Sequence, residues 1–194
     1  MNSTKAKLII FISGRGSNMQ RIIEETQNGI LKDIAEVVLV FSDKPEAPGL
    51  KIAQETGIET KSIAAKGKSR KEFNDEVMKL LENYEFDYIV LAGYMRILPA
   101  EFVRKYPKKI INIHPADTRL HQGLHGYEWA YKNGMKSTKI TIHYVDEGMD
   151  TGEIIAQREV DLTAVKSLEE VERRGLAVEH GFYAETIKKL IVDS

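Results

Sequence analysis

The chain contains no cysteine. That excludes disulfides, thiolate metal sites and cysteine nucleophiles, and it fits a reducing compartment such as the cytoplasm. Net charge is nearly absent as well, at -1. No global field therefore draws in nucleic acid or an anionic membrane, and any bound anion must be gripped locally. Long apolar runs are missing. No stretch can span a bilayer, and the run that follows residues 1–7 is too short for a secretory signal. The 194 residues, 42% of them hydrophobic, still suffice for a sizeable core in one domain. No repeat, low-complexity tract or linker divides the chain, so residues 1–194 read as a single domain.

What is present is an alternation of strand and helix signals. Apolar runs at residues 8–12, 37–41, 88–92 and 109–113, with a weaker one at 58–63, read as strands buried on both faces. Between them lie an amphipathic stretch over about 18–27, a helix opened by Pro48 and stopped by Gly57, and a helix started by the capping box Ser69-Arg70-Lys71-Glu72 that runs to about Tyr84. Repeated strand and helix predict a doubly wound, Rossmann-like, mostly parallel α/β sheet. The runs 139–145 and 153–160, joined by a short acidic loop, predict an antiparallel or mixed C-terminal extension. A helix over about 167–191 closes the chain, with Gly175 and Gly181 as weak points in it.

Three places carry chemistry. Ser13-Gly14-Arg15-Gly16-Ser17-Asn18 follows the first strand and opens a helix. Backbone amides there can cradle a phosphate. The dinucleotide fingerprint is incomplete, because Met19 stands where its third glycine belongs, and no Walker A lysine follows. The plain alternative is a tight turn with Asn18 as helix cap. Ala92-Gly93-Tyr94-Met95-Arg96-Ile97-Leu98-Pro99 follows the fourth strand. It can meet a flat heterocycle at the sheet edge, or it is an ordinary loop with Met95, Ile97 and Leu98 in the core. Asn112-Ile113-His114-Pro115 ends the fifth strand. Alternation points Asn112 and His114 the same way, and Pro115 stops the ladder. Asp150 ends a second strand break. An amide, an imidazole and a carboxylate around one point can stabilise an oxyanion and move a proton. Against that, Asn112 can tie down a loop and Asp150 can cap a turn. His121, His125, His143 and His180 are rival histidines, with His143 read as core. No tight zinc-ligand spacing is present, so no metal is expected.

Together these segments, with Gly123-Leu124-His125, Ser69-Arg70, His143 to Gly152 and Glu179-His180, resemble the folate-dependent phosphoribosylglycinamide formyltransferases over residues 7–191. The resemblance implies formyl transfer from 10-formyltetrahydrofolate to the amine of glycinamide ribonucleotide in de novo purine biosynthesis. It implies a catalytic set of Asn112, His114 and Asp150. Gly16, Ser17 and Asn18 would hold the ribonucleotide phosphate and Glu179 its glycinamide end. The folate would lie along Met95, Arg96, Ile97 and Leu98, with Asn112, Asp146 and Asp150 beside it and Arg70 near its distal part. A carboxylate beside His114 is expected to raise the ring's pKa, so that a protonated His114 meets the oxyanion.

The chain departs from the family in places. After His-Pro the family reads Ser-Leu-Leu-Pro and later Pro-Gly, whereas here Ala116-Asp117-Thr118-Arg119-Leu120-His121-Gln122-Gly123 has no proline. A more mobile loop is expected, with Arg119 and His121 as solvated loop residues. Leu176 stands where a polar residue near the substrate amine is usual, and Glu153 where proline is common. Two other functions stay open. One is a 10-formyltetrahydrofolate hydrolase, although such hydrolases carry an extra N-terminal domain for which the residues before Lys7 leave no room. The other is a non-catalytic nucleotide-binding module.

Overall fold

The computed structural model describes residues 5–193; residues 1–4 and 194, which the single-domain reading includes, lie outside them. Among the described residues the order is β1 (Ala6–Ile12), α1 (Ser17–Asn28), β2 (Ala35–Ser42), α2 (Pro48–Glu55), β3 (Thr60–Ser62), α3 (Arg70–Leu81) and β4 (Tyr88–Leu91). There follow α4 (Ala100–Lys105), β5 (Ile110–His114), α5 (Gly126–Lys132), β6 (Ser137–Tyr144), β7 (Ile154–Asp161) and α6 (Leu168–Val192). The seven strands form one sheet in the order β3-β2-β1-β4-β5-β6-β7. The first five run parallel, and β6 and β7 are antiparallel to their neighbours. This is the mostly parallel, doubly wound α/β sheet with an antiparallel end that the strand pattern predicts.

Burial follows from alternation along the strands. Leu8, Ile10 and Ile12 of β1 face a core shared with α1, α2 and α6, while Ile9 and Phe11 face a second core with Phe73, Val77 and Phe102. These five of the seven β1 side chains are fully buried. Each such side chain contributes about 1.5–3 kcal/mol relative to an exposed one. The capping box at Ser69 forms with both of its hydrogen bonds, and α3 ends at Leu81, earlier than its periodicity suggests.

Two helices have no sequence-level signature. The six-residue α4 follows Pro99 directly, and the seven-residue α5 starts after His125 in the left-handed region. Both are shorter than the periodic window that would reveal them.

The connectivity sets the position of the site. From β1 the chain winds outward through β2 and β3, then crosses back to β4 on the other side of β1. Such a switch in winding opens a crevice at the carboxyl ends of the two strands. The loops after β1 and β4 meet there: the Ser13 amide donates to the Gly93 carbonyl (3.1 Å), and the Met95 amide donates to Ser13 Oγ (2.9 Å).

Candidate active site

β5 ends in Asn112 and His114, and its antiparallel pairing with β6 sets Asn112 opposite His143. Asp150 comes from the loop after β6 and takes a left-handed backbone, φ 54°. Asp tolerates this conformation better than most residues, at a cost of order 1 kcal/mol, and such strain concentrates at functional sites. The turn aims its carboxylate at β5. Asn112 Nδ2 donates to Asp150 Oδ1 (3.2 Å), and His114 Nδ1 lies 3.3 Å from Asp150 Oδ2. Asn112, His114 and Asp150, separate in sequence, therefore converge.

Two further groups complete the cluster. The Gly123 amide donates to Asp150 Oδ2 (2.8 Å). His143 Nε2 lies 3.4 Å from Asp150 Oδ1 and 3.3 Å from Asn112 Nδ2, and its Nδ1 faces the Tyr144 carbonyl at 2.8 Å. The expectation that His143 is core is half right. It is 2% exposed, but its Nε2 lies against the Asn112 amide and the Asp150 carboxylate. Only the β5–β6 register reveals that, and sequence spacing alone does not contain it.

Electrostatics correct one expectation. Burial lowers the His114 pKa below its ordinary value, and the Asp150 carboxylate and the His121 carbonyl offset this only in part. Desolvation outweighs the single neighbouring charge. Burial acts on Asp150 as well, in the upward direction. Hydrogen bonding from His143, the nearby His114 and the Gly123 amide outweigh it, so Asp150 titrates below the usual carboxylate range. Asp150 is thus a carboxylate at rest, and burial disfavours the charged form of the His114 ring beside it.

The loop that lacks the family's prolines is tied down rather than loose. Asp117 is 6% exposed and receives Arg119 Nε (3.0 Å) and Nη2 (3.1 Å), Lys139 Nζ (2.9 Å) and Gln157 Nε2 (3.1 Å). These donors, the Arg119 hydrogen bonds foremost, hold its carboxyl well below the ordinary range. Arg119 is engaged as an anchor. His121 stacks on Trp129 with centroids 5.0 Å apart, and its carbonyl lies 3.1 Å from His114 Nε2. The loop thus lies directly against His114.

A cleft of about 300 Å³ opens over the trio, lined among others by Met95, Ile97, Leu124 and Met149. Met95 is 60% exposed and Ile97 48%, so they form an open apolar wall; of the three residues that could have been core, only Leu98 is. Arg96 lies over the Phe73 ring at 4.6 Å. Asp146 lines the cleft and shapes its loop, accepting from the Gly148 amide (3.0 Å) and Thr151 Oγ1 (2.7 Å). Arg70 donates to the Ile97 carbonyl (3.1 Å) and lines a neighbouring hollow of about 460 Å³ that shares Leu98 with the cleft.

The remaining predicted residues gather at α1. Gly16 is its N-cap, in the left-handed region at φ 70°, so Asn18 is inside the helix and is not its cap. The amides at this helix start face an anion favourably. Asn18 Nδ2 donates to Glu179 Oε2 (2.6 Å), joining two residues 161 positions apart. Among the described residues no group of three or more His, Asp or Glu has an arrangement that could hold a metal ion, and no helix is long and apolar enough to cross a membrane.

This sheet, with an amide, an imidazole and a carboxylate brought together at the end of β5, is an α/β arrangement suited to acyl-group transfer, and comparison gives the family. The chain belongs to the formyl transferase family, whose pattern matches residues 6–187. It is 36% identical over 186 residues to the phosphoribosylglycinamide formyltransferase of Bacillus subtilis (strain 168), covering 95% of this chain and 94% of that protein. It is 35% identical over 192 residues to the trifunctional purine biosynthetic protein adenosine-3 of Drosophila melanogaster, covering 98% of this chain but only 14% of that longer protein. The crystal structure of phosphoribosylglycinamide formyltransferase from Brucella melitensis superimposes with a TM-score of 0.89 at 38% identity, covering 97% of this chain and 96% of that one.

Proposed function

We propose that the chain, acting as a single domain, transfers the formyl group of 10-formyltetrahydrofolate to the amine of glycinamide ribonucleotide, a step of purine synthesis. The observation that carries this reading is the convergence of Asn112, His114 and Asp150 at the floor of an apolar cleft. A flat pterin suits the exposed wall of Met95, Ile97 and Met149, and Asn112 and Asp150 stand beside its reactive end. Arg96 lies along the wall over Phe73, and Arg70 lines the neighbouring hollow, where a folate's carboxylates would extend. The helix start at Gly16, Ser17 and Asn18 suits the substrate phosphate, and Glu179 suits its glycinamide end.

The chemistry follows from the resting charges. The substrate amine attacks the formyl carbon and negative charge gathers on the formyl oxygen. Asn112 Nδ2 donates to that oxygen. Neutral His114 takes the proton released by the amine. The imidazolium so formed lies between the Asp150 carboxylate and the oxyanion, which together favour it at that moment. As the carbon–nitrogen bond to the folate breaks, His114 returns the proton to the departing nitrogen. Protons and charges balance, and no covalent enzyme intermediate is required. His114 Nε2 meets the His121 carbonyl in the structure; a substrate oxygen reaching that nitrogen displaces this contact.

The decisive assay mixes the protein with 10-formyltetrahydrofolate, with and without glycinamide ribonucleotide. Tetrahydrofolate release that requires the ribonucleotide is the expected result. Release without it would make the chain a hydrolase, and no release in either mixture would make it a binding module.

A further inference from the structure

Glu179 is 5% exposed on α6 and receives two donors from two other helices. Asn18 of α1 meets Oε2, and the Tyr127 hydroxyl of α5 donates to Oε1. Tyr127 belongs to none of the motifs read from the sequence. Its ring lies against Gly175, where a Cβ would overlap the ring atoms. Gly175, a poor residue for a helix interior, thus makes room for this tyrosine. Burial and, next, the Glu179 charge raise the Tyr127 pKa far above its ordinary value, so the hydroxyl stays a donor at every working pH.

The chain of hydrogen bonds ends in a buried acceptor that has no partner among the described residues. A carboxylate only accepts, so the Asn18 amide must present its nitrogen to Glu179. That turns Asn18 Oδ1 the other way, buried and without a partner among the described residues. Leu176, three residues before Glu179 on α6, offers no hydrogen bond.

We propose that Tyr127 is a positioning residue for substrate selection: it locks the Glu179 carboxylate, and through it the Asn18 amide, so that both present acceptors to a substrate bearing N–H donors. Such a substrate is a primary amine or amide, and the inference rests on the ribonucleotide reading above. The Tyr127 hydroxyl touches Glu179 and acts through it.

The test is Tyr127→Phe, which keeps the ring on Gly175 and removes only the hydroxyl. The expected result is a KM for glycinamide ribonucleotide raised about tenfold, with kcat and the KM for 10-formyltetrahydrofolate nearly unchanged; tenfold corresponds to about 1.4 kcal/mol. In a double-mutant cycle, Tyr127→Phe added to Glu179→Gln should cost little more, because the hydroxyl works through the carboxylate. An unchanged ribonucleotide KM, or a loss of kcat and melting temperature with both KM values moving alike, would overturn the proposal. A parent protein that fails to transfer formyl at all would instead sink the functional reading, so the two failures are distinguishable.

Discussion

His114 Nδ1 and Asp150 Oδ2 stand 3.3 Å apart, with the ring buried and its pKa lowered despite the neighbouring carboxylate. A base whose charged form burial disfavours and an adjacent carboxylate favours suits a proton that must be picked up and returned within one turnover. The same pair makes the reaction and the fold sensitive to acid in one direction, which can be worked out from the two shifts.

For His114 the folded pKa lies below the ordinary 6.5. Between those values the unfolded chain binds the proton and the folded protein does not, so stability is full above 6.5 and falls as pH drops through that window. Asp150 also titrates low when folded, so its contribution is present above 3.8 and is lost on further acidification. Turnover needs neutral His114 and should therefore fall on the acid side. Asp150→Asn removes the charge opposing desolvation and should move the His114 titration to still lower pH. Histidine NMR titration of both proteins checks this; a His114 pKa above 6.5 in the parent would contradict the neutral resting ring.

His114→Ala removes the proton carrier, and Asp150→Asn the charge that favours it. Each should lower kcat by about 10²–10⁴. The α/β core lies elsewhere, so circular dichroism should remain that of the parent. His143→Phe removes the partner that holds Asn112 and Asp150, and it should cost less, about tenfold in kcat. Steady-state assay of the three variants ranks them. Near-normal turnover in either of the first two would remove that residue from the catalytic set.

Much of this arrangement is legible in the residues alone, and the exceptions have a common cause. Asn112 and His114 are recognisable because strand alternation and Pro115 act locally, and the strands themselves because a doubly buried strand must be continuously apolar. Three features depend on partners distant in sequence. The support role of His143 needs the β5–β6 register. The anchoring of the proline-free loop needs Lys139 and Gln157, 22 and 40 residues from Asp117. Gly175 looks like a flaw in a helix until the Tyr127 ring lies against it. The lowered His114 pKa is missed for a different reason: a sequence reveals a neighbouring charge more readily than the depth of burial that outweighs it.

Asp117 bears the loop that contacts His114. Asp117→Leu leaves Arg119, Lys139 and Gln157 without their common acceptor, and stability should fall by about 1–3 kcal/mol. Residues 116–124 should then exchange amide hydrogens faster, with the rest of the sheet unaffected. Hydrogen-exchange mass spectrometry reads this directly, and unchanged protection across the loop would show that the backbone, not the carboxylate, holds it.

Ser13 joins the two half-sites. Its hydroxyl donates to the buried Asp43 carboxylate (2.6 Å) and accepts from the Met95 amide (2.9 Å), so the proposed phosphate loop after β1 and the proposed folate loop after β4 are tied at one point. Ser13→Ala leaves the Met95 amide and Asp43 without that partner, and Asp43→Ala leaves the hydroxyl free to rotate away. Asp43→Asn still offers an acceptor to the hydroxyl. The alanine variants should weaken binding of both substrates several-fold, while Asp43→Asn stays near the parent. Measured KM values for the ribonucleotide and the folate check this together. A change confined to one substrate would mean that Ser13 serves only one loop, and the two loops would then have to be held by the Ser13–Gly93 backbone bond alone.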